Sequence, residues 1–425
     1  SFDPEGSVSI IDISGGVASP SVTIAGFTSF NGQMASLKAA GVRIYGPGAT
    51  VAMDLEPEYL TISPDGSTAY VTLQENNAVA KLNIATATFT DIYPLGLKDY
   101  SLALNGIDAS DRDVDGTSGG GGKINIQNWP VKGMYQPDAI ANYTVGANTY
   151  YITANEGDAR DYTGFTEEVR VSSASYVLDP AIFPNAATLK LSQNLGRLNV
   201  TNATGSNDAD SEFEDIQAFG ARSFTIWSSS FAQVYDSKGE LEQVTAERNA
   251  SAFNSDGTSA TFDGRSDNKG PEPEGLALGL VNGVHYAFRG SERTGDIFGY
   301  DITDPMAPLL KQYINTPADL GVEGVQFVSA SQSPTGKALI ITSAEVSKTV
   351  TVYEFSGAPV ISLVGNATEQ ICQNATYTDA GATAVDAQGN NITGSIITTG
   401  TVNTVVPATY TITYNVSDAC GIAAL

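Results

Sequence analysis

One stretch, "EPEYLTISPDGSTAYVTLQENNAVAKLNIATATFTDIYPL" (Glu56–Leu95), constrains the fold more than any other. It reads as four short strands cut by turn residues. Tyr59–Ile62 comes first, "SPDGS" leads into Ala69–Leu73, "QENN" leads into Val79–Ile84, and Thr88–Tyr93 closes the unit. Four antiparallel strands in about 40 residues make one blade of a β-propeller. A lone blade cannot bury both faces, so the unit has to recur. It does so degenerately from Gln136, Glu214, Pro271 and Gly321, which predicts five blades. The N-terminal "GSVSIIDISGG" matches the third strand of a blade, as "AVAKLNI", "DIFGYDI" and "TVTVYEF" do. The chain is therefore expected to open in mid-blade, with propeller sequence missing upstream.

Helical signals are scarce. The best is "NGQMASLKAAG" (Asn31–Gly41), with Met34, Leu37 and Ala40 at helical spacing. After Gly357 the texture changes to Thr-, Val- and Ile-rich runs with turn residues every 8–12 positions, the pattern of a small immunoglobulin-like sandwich. The expected fold is all-β: a β-propeller over residues 1–356, then an Ig-like β-sandwich over 357–425 that is truncated at its C-terminal end. No apolar run approaches the ~18 residues of a membrane span.

Charge narrows the function. Asp and Glu number 47 against 21 Lys and Arg, a formal net charge of −26. Such a surface repels nucleic acid and anionic membranes. It attracts cations, Ca²⁺ above all, or serves solubility alone. The single histidine, His285, excludes chemistry that needs two imidazoles from this chain. It lies in "NGVHYAF", a strand-like run, and reads as a packing residue. The two cysteines, Cys372 and Cys420, form no C-x-x-C pair; a single disulfide within the C-terminal module fits them and implies an oxidising compartment.

Aligning the blades by their first strands puts Glu58, Asp138, Asp215, Glu274 and Glu323 at one equivalent position. A second series, Glu75, Glu156, Glu292 and Glu345, follows the second strands. Strand one runs along the channel wall and strand two returns beside it. Both series are thus expected at one channel mouth, as two circles of carboxylates. Acids so close must protonate, pair with basic groups or bind cations. Arg160, Arg289 and Arg293 lie near the second series and could lace blades together. Calcium held by oxygens from several blades is the second possibility. The third is a metal-dependent phosphohydrolase with Arg160, Lys269 and Arg293 as its phosphate pocket. Glu272, whose only sibling is Glu56, reads as local.

A separate constellation lies in "DASDRDVDG". Asp111, Asp113 and Asp115, followed by Gly116, reproduce the start of a calcium loop. The Glu expected at loop position 12 is absent, since residue 122 is Gly, so this is either a loop site completed elsewhere or a solvated acidic turn. Asp208, Asp210 and Glu212 form a weaker cluster of the same kind.

The runs "DPEGSVSIIDISGG", "LEPEYLTISPDGSTAYVTLQENNA", "YITANEGDARDY", "SDNKGPEPEG" and "YDITDP" together resemble the choice-of-anchor I family. These are secreted β-propeller proteins attached to cell surfaces by varied C-terminal anchors. Mesenchyme-specific cell-surface glycoproteins are similar to the family, and some bacterial members carry alkaline-phosphatase or phytase-like labels. The resemblance covers Asp3–Phe355 and implies seven blades in the full protein. The segment around "YTDAGATAVD" resembles a bacterial Ig-like module. Together these imply a secreted, extracellular cell-surface protein, and the carboxylate circles and Asp loop add the expectation that it binds Ca²⁺. Its expected role is adhesion, surface-layer or matrix interaction, or ligand binding. Expected partners are surface or matrix components and the anchoring or secretion machinery, without nucleic acid or a direct membrane span. The alternative is a Ca²⁺-dependent phosphohydrolase acting at the acidic mouth.

Overall fold

The computed structural model describes residues 4–114, 121–208, 210–355, 359–386 and 389–417. The chain divides into two compact units. One comprises Ser1–Gly279, Val284–Gln326 and Ile341–Thr351; the other comprises Leu280–Gly283, Phe327–Ile340 and Val352–Leu425.

The stretch that opened the sequence analysis forms a four-stranded antiparallel sheet of Pro57–Ile62, Thr68–Leu73, Ala78–Asn83 and Thr88–Pro94, in that order. Its first turn is fastened by Asp65, whose Oδ1 accepts from the Ser63 hydroxyl at 2.6 Å and the Ser67 N–H at 3.0 Å. That sets the register Ile62↔Ala69. The two middle strands are buried on both faces, as blade interiors must be. Beside it, Ala25, Phe27 and Leu37 join Val71, Leu82 and Phe89 in one core. The expected helix is present as Met34–Ala40, ended by Gly41 in the left-handed conformation.

The second blade differs from expectation. The segments beginning at Gln136 and Glu214 do not form two blades. Ile140–Val145 and Asn148–Asn155 pair with Ser223–Trp227 and Gln233–Asp236 in a single four-stranded sheet. Phe224 and Ile226 pack with Ile152 and Ala154 in its core, and the Trp227 Nε1–H donates to Thr153 Oγ1 at 2.9 Å. An alternating strand reads the same whether it is first or third in a sheet, which is why the sequence split this blade in two.

Chain on both sides of its first hairpin, before Ile140 and after Asn155, builds an insertion with its own core of Tyr100, Val131, Tyr176, Leu195 and Val200. Here Glu168–Arg170, Asn199–Thr201, Gln217–Ala218, Lys132–Met134 and Leu97–Asp99 form a five-stranded sheet. Gln217–Ala218, expected to begin a blade, instead pairs parallel with Lys132–Met134. A helix that periodicity missed, Glu240–Arg248, follows the second blade.

The third blade is contiguous: Pro273–Val281, Val284–Ser291, Asp296–Asp301 and Leu309–Asn315. Val322–Val328, Leu339–Ala344 and Thr349–Glu354 form a further three-stranded sheet. The fold is mostly β and propeller-like. In the C-terminal region, Val360–Leu363 pairs with Ala382–Val385 and Ile397–Thr399 with Thr413–Asn415.

Candidate functional site

The acids of the first series sit where inner strands begin, and close backbone contacts bring them together. A Cβ on Gly275 would lie 2.3 Å from the Glu323 carbonyl oxygen and 2.8 Å from Val325 Cγ2. Only a hydrogen fits there, so the strand carrying Glu274 presses directly on the strand carrying Glu323. On the other side, Thr72 Oγ1 donates to the Asp138 carbonyl at 3.2 Å, and Asn142 Nδ2 donates to Thr61 Oγ1 at 2.6 Å. These bonds join the first two blades along their inner strands.

The electrostatics show one shared field. Burial, then Glu156, Glu292, Asp138 and Glu323, push the Glu274 carboxyl up to about 9. Burial, Glu156 and Glu58 push Asp138 up to about 7. Glu58 is raised by burial, Asp158 and Glu156, and Glu323 by burial and Glu345. Glu75, raised to about 8 by burial and Glu56, lies beside the same group through Asp158. Thus Glu58, Asp138, Glu156, Glu274, Glu292 and Glu323 stand in one acidic cluster. Asp215 does not; it lies in the insertion, where its N–H donates to the Gly205 carbonyl at 3.0 Å.

Basic groups reach only part of the ring. Glu272 is fully buried and takes Arg265 Nε at 2.6 Å, Arg293 Nε at 3.0 Å and Lys269 Nζ at 3.5 Å. Against burial, Lys269 and Arg265 hold its carboxyl below the ordinary value. Lys269 also reaches Glu156 at 2.6 Å, and Arg293 reaches Glu292 at 2.9 Å. Glu156, Glu272 and Glu292 each bring an oxygen to within 4.8 Å of the others. Glu272, read as local in the sequence, is therefore the hub of the ion-pair network. Its place between two prolines, with φ +44°, carried no signal of that role.

Among the described residues, Glu274 has no such partner. Its Oε2 is buried without a hydrogen bond, as is Glu75 Oε2. Arg160 pairs instead with Asp54 at 3.0 Å and Glu56 at 3.2 Å. Arg289 is buried with its guanidinium 4.3 Å from the Phe298 ring centroid. The three basic residues proposed for a phosphate pocket, Arg160, Lys269 and Arg293, are all engaged by carboxylates. What the cluster leaves over is carboxylate oxygen, the donor set of a hard cation such as Ca²⁺.

The loop acids separate. Asp111 is clasped by Arg197, with Nε at 2.9 Å and Nη2 at 3.2 Å from its two oxygens. Asp113 is buried, and its charge acts on Asp108 and Asp263. Burial pushes those two carboxyls up to about 7 and about 9 respectively. Asp115 lies outside the described residues. Asp208 and Asp210 gather at the surface with Glu214, and Glu212 is not in that group. Cys372 is exposed, and Cys420 lies outside the described residues. The His285 ring packs 5.5 Å from Tyr143.

Fold and site together define a class: a propeller-like protein with a cluster of acids where its inner strands begin, and a C-terminal β module. Residues 1–305 match the choice-of-anchor I domain, and the chain belongs to that family. Residues 361–424 match the bacterial surface protein Ig-like domain, so the chain is a surface-associated protein. Among curated relatives, gigasin-3a of Magallana gigas is 27% identical over 38% of this chain and 65% of its own length. The mesenchyme-specific cell surface glycoprotein of Strongylocentrotus purpuratus is 27% identical over 62% of this chain and 38% of its own length. The chain thus spans less than two thirds of either relative. Among solved structures, the Dos1 propeller overlaps 85% of this chain and 60% of its own, at 8% identity and a TM-score of 0.32. Among the described residues no helix is long and apolar enough to cross a membrane.

Proposed function

We propose that this is a secreted, cell-surface propeller whose channel mouth binds Ca²⁺, and that the ion organises a face used for adhesion or for contact with surface-layer or matrix components. The observation that carries this is the Glu274 carboxylate. It stands half-buried among Asp138, Glu156, Glu292 and Glu323, with its Oε2 buried and unpartnered. A buried, uncompensated carboxylate is costly unless it protonates or meets a cation. Glu58, Asp138, Glu274 and Glu323 would supply oxygens from four inner strands, with water completing the shell. The Ig-like module and the family support display at the surface.

The test is calorimetric titration of the full chain with Ca²⁺, beside Glu274→Gln and a chromogenic phosphate ester assay. The proposal expects saturable binding that weakens at least tenfold in the variant, and no Ca²⁺-dependent ester hydrolysis. Binding unchanged in the variant would overturn the site. Turnover abolished by EDTA and by the variant would favour the phosphohydrolase.

A further inference from the structure

A second buried acidic cluster joins the insertion, through Asp108 and Asp113, to the segment that follows the Glu240–Arg248 helix. Asp108, Asp113 and Asp263 are 1%, 4% and 0% exposed. Asn254 beside them is also fully buried. Three oxygens here have no hydrogen-bond partner: Asp113 Oδ2, Asp263 Oδ2 and Asn254 Oδ1.

The remaining polar atoms are fixed. The Lys123 N–H donates to Asp113 Oδ1 at 3.0 Å, and the Ser266 hydroxyl donates to Asp263 Oδ1. Asn254 Nδ2 donates to Ser266 Oγ at 2.9 Å and to Glu242 Oε1 at 3.0 Å. The amide group of Asn254 is thereby oriented with its oxygen left over. Arg222, buried in the same region, donates to Glu242 Oε1 and to the carbonyls of Asp108, Ser266 and Asn268. It balances Glu242 and makes no hydrogen bond to the three Asp carboxylates. The chain passes so closely over Asp263 that a Cβ on Gly122 would lie 1.8 Å from its Oδ2. That glycine closes the cluster from above.

Buried polar oxygens without partners are rare in folded proteins, and three in one cluster of excess negative charge call for a common ligand. All three are hard donors, two carboxylates and an amide, with no imidazole or thiolate among them.

We propose that Asp108, Asp113, Asp263 and Asn254 hold a structural Ca²⁺ that ties Asp108–Val114 and Gly121–Asn125 to the Asn254–Ser266 segment. The cluster is looser than Glu156, Glu272 and Glu292, whose oxygens already lie within 4.8 Å. Binding therefore draws Asp113 and Asp263 together. Asp111, committed to Arg197, takes no part.

The experiment uses the full chain and Ca²⁺ alone, reading bound ions per chain by elemental analysis and tryptic cleavage after Lys123, which is exposed. Ca²⁺ at ten times its dissociation constant should slow that cleavage about tenfold. Asp263→Asn should bind one ion fewer and lose the protection, while Glu274→Gln keeps it. Asp113→Asn should behave as Asp263→Asn does and serves if that variant does not fold. Cleavage indifferent to Ca²⁺ in the unmodified chain, or full stoichiometry in a folded Asp263→Asn or Asp113→Asn, would overturn the proposal. Protection by Mg²⁺ but not Ca²⁺ would overturn the choice of ion. Because Glu274→Gln reports the mouth separately, either site can fail alone.

Discussion

Replacing Glu274 by Gln should change the sign of its effect with calcium. Without the ion, the Glu274 carboxyl is raised from 4.5 to about 9. A group raised on folding contributes stability that is complete below its unfolded value and is lost as pH rises through the folded one. Near pH 7 the loss is about 3 kcal/mol at about 1.4 kcal/mol per unit. Partial exposure screens it to about 2 kcal/mol. In EDTA, Glu274→Gln should therefore be the more stable protein, melting about 4 °C higher for a domain of this size. In saturating Ca²⁺ the order should reverse. The unmodified protein gains about 2.7 kcal/mol at a hundredfold excess over its dissociation constant, and the variant does not. Thermal melts in EDTA from about pH 5 to about pH 9 supply the second check: the unmodified chain should lose stability along the series and Glu274→Gln less so. A variant destabilised in EDTA would show that this carboxylate is ionised and paired without calcium, and would refute the reasoning.

Other outcomes follow from the same geometry. Glu272→Gln leaves Arg265, Lys269 and Arg293 facing a neutral side chain, and should cost about 3–5 kcal/mol in melts whether or not Ca²⁺ is present. Gly275→Ala forces a methyl against the Glu323 carbonyl. It should cost about 1–3 kcal/mol and weaken Ca²⁺ binding in calorimetry, because it parts Glu274 from Glu323. Trp227→Phe removes the bond to Thr153 and leaves a gap in a packed core; a loss of about 2 kcal/mol in denaturant unfolding is expected.

That Glu58, Asp138, Glu274 and Glu323 draw together was legible in the sequence because propellers place equivalent positions at one end. The spacing from Glu274 to Glu292 and from Asp138 to Glu156 reports a hairpin, and a hairpin returns to where it began. The network around Glu272 was not legible. Arg265 and Lys269 belong to no blade, and nothing in strand periodicity aims a preceding loop at a carboxylate. Asp215 was misplaced for the opposite reason. Its flanking sequence has a blade's alternation, but the following Gln217–Ala218 finds a parallel partner in the insertion. Asp263 and Asn254 escaped notice because their link to Asp113 spans sequence with no repeat.

The split second blade has a consequence for synthesis. The hairpin of Ile140–Val145 and Asn148–Asn155 leaves the ribosome with one edge unpaired. Its neighbour, Ser223–Trp227, emerges only after the whole insertion has been made. The insertion sheet cannot close earlier, since it needs Gln217–Ala218 between its halves. Both structures therefore wait on the same short stretch of chain and can close almost together as it appears. Until then the nascent protein carries an open strand edge, the species most prone to mispairing with a neighbour on a crowded polysome.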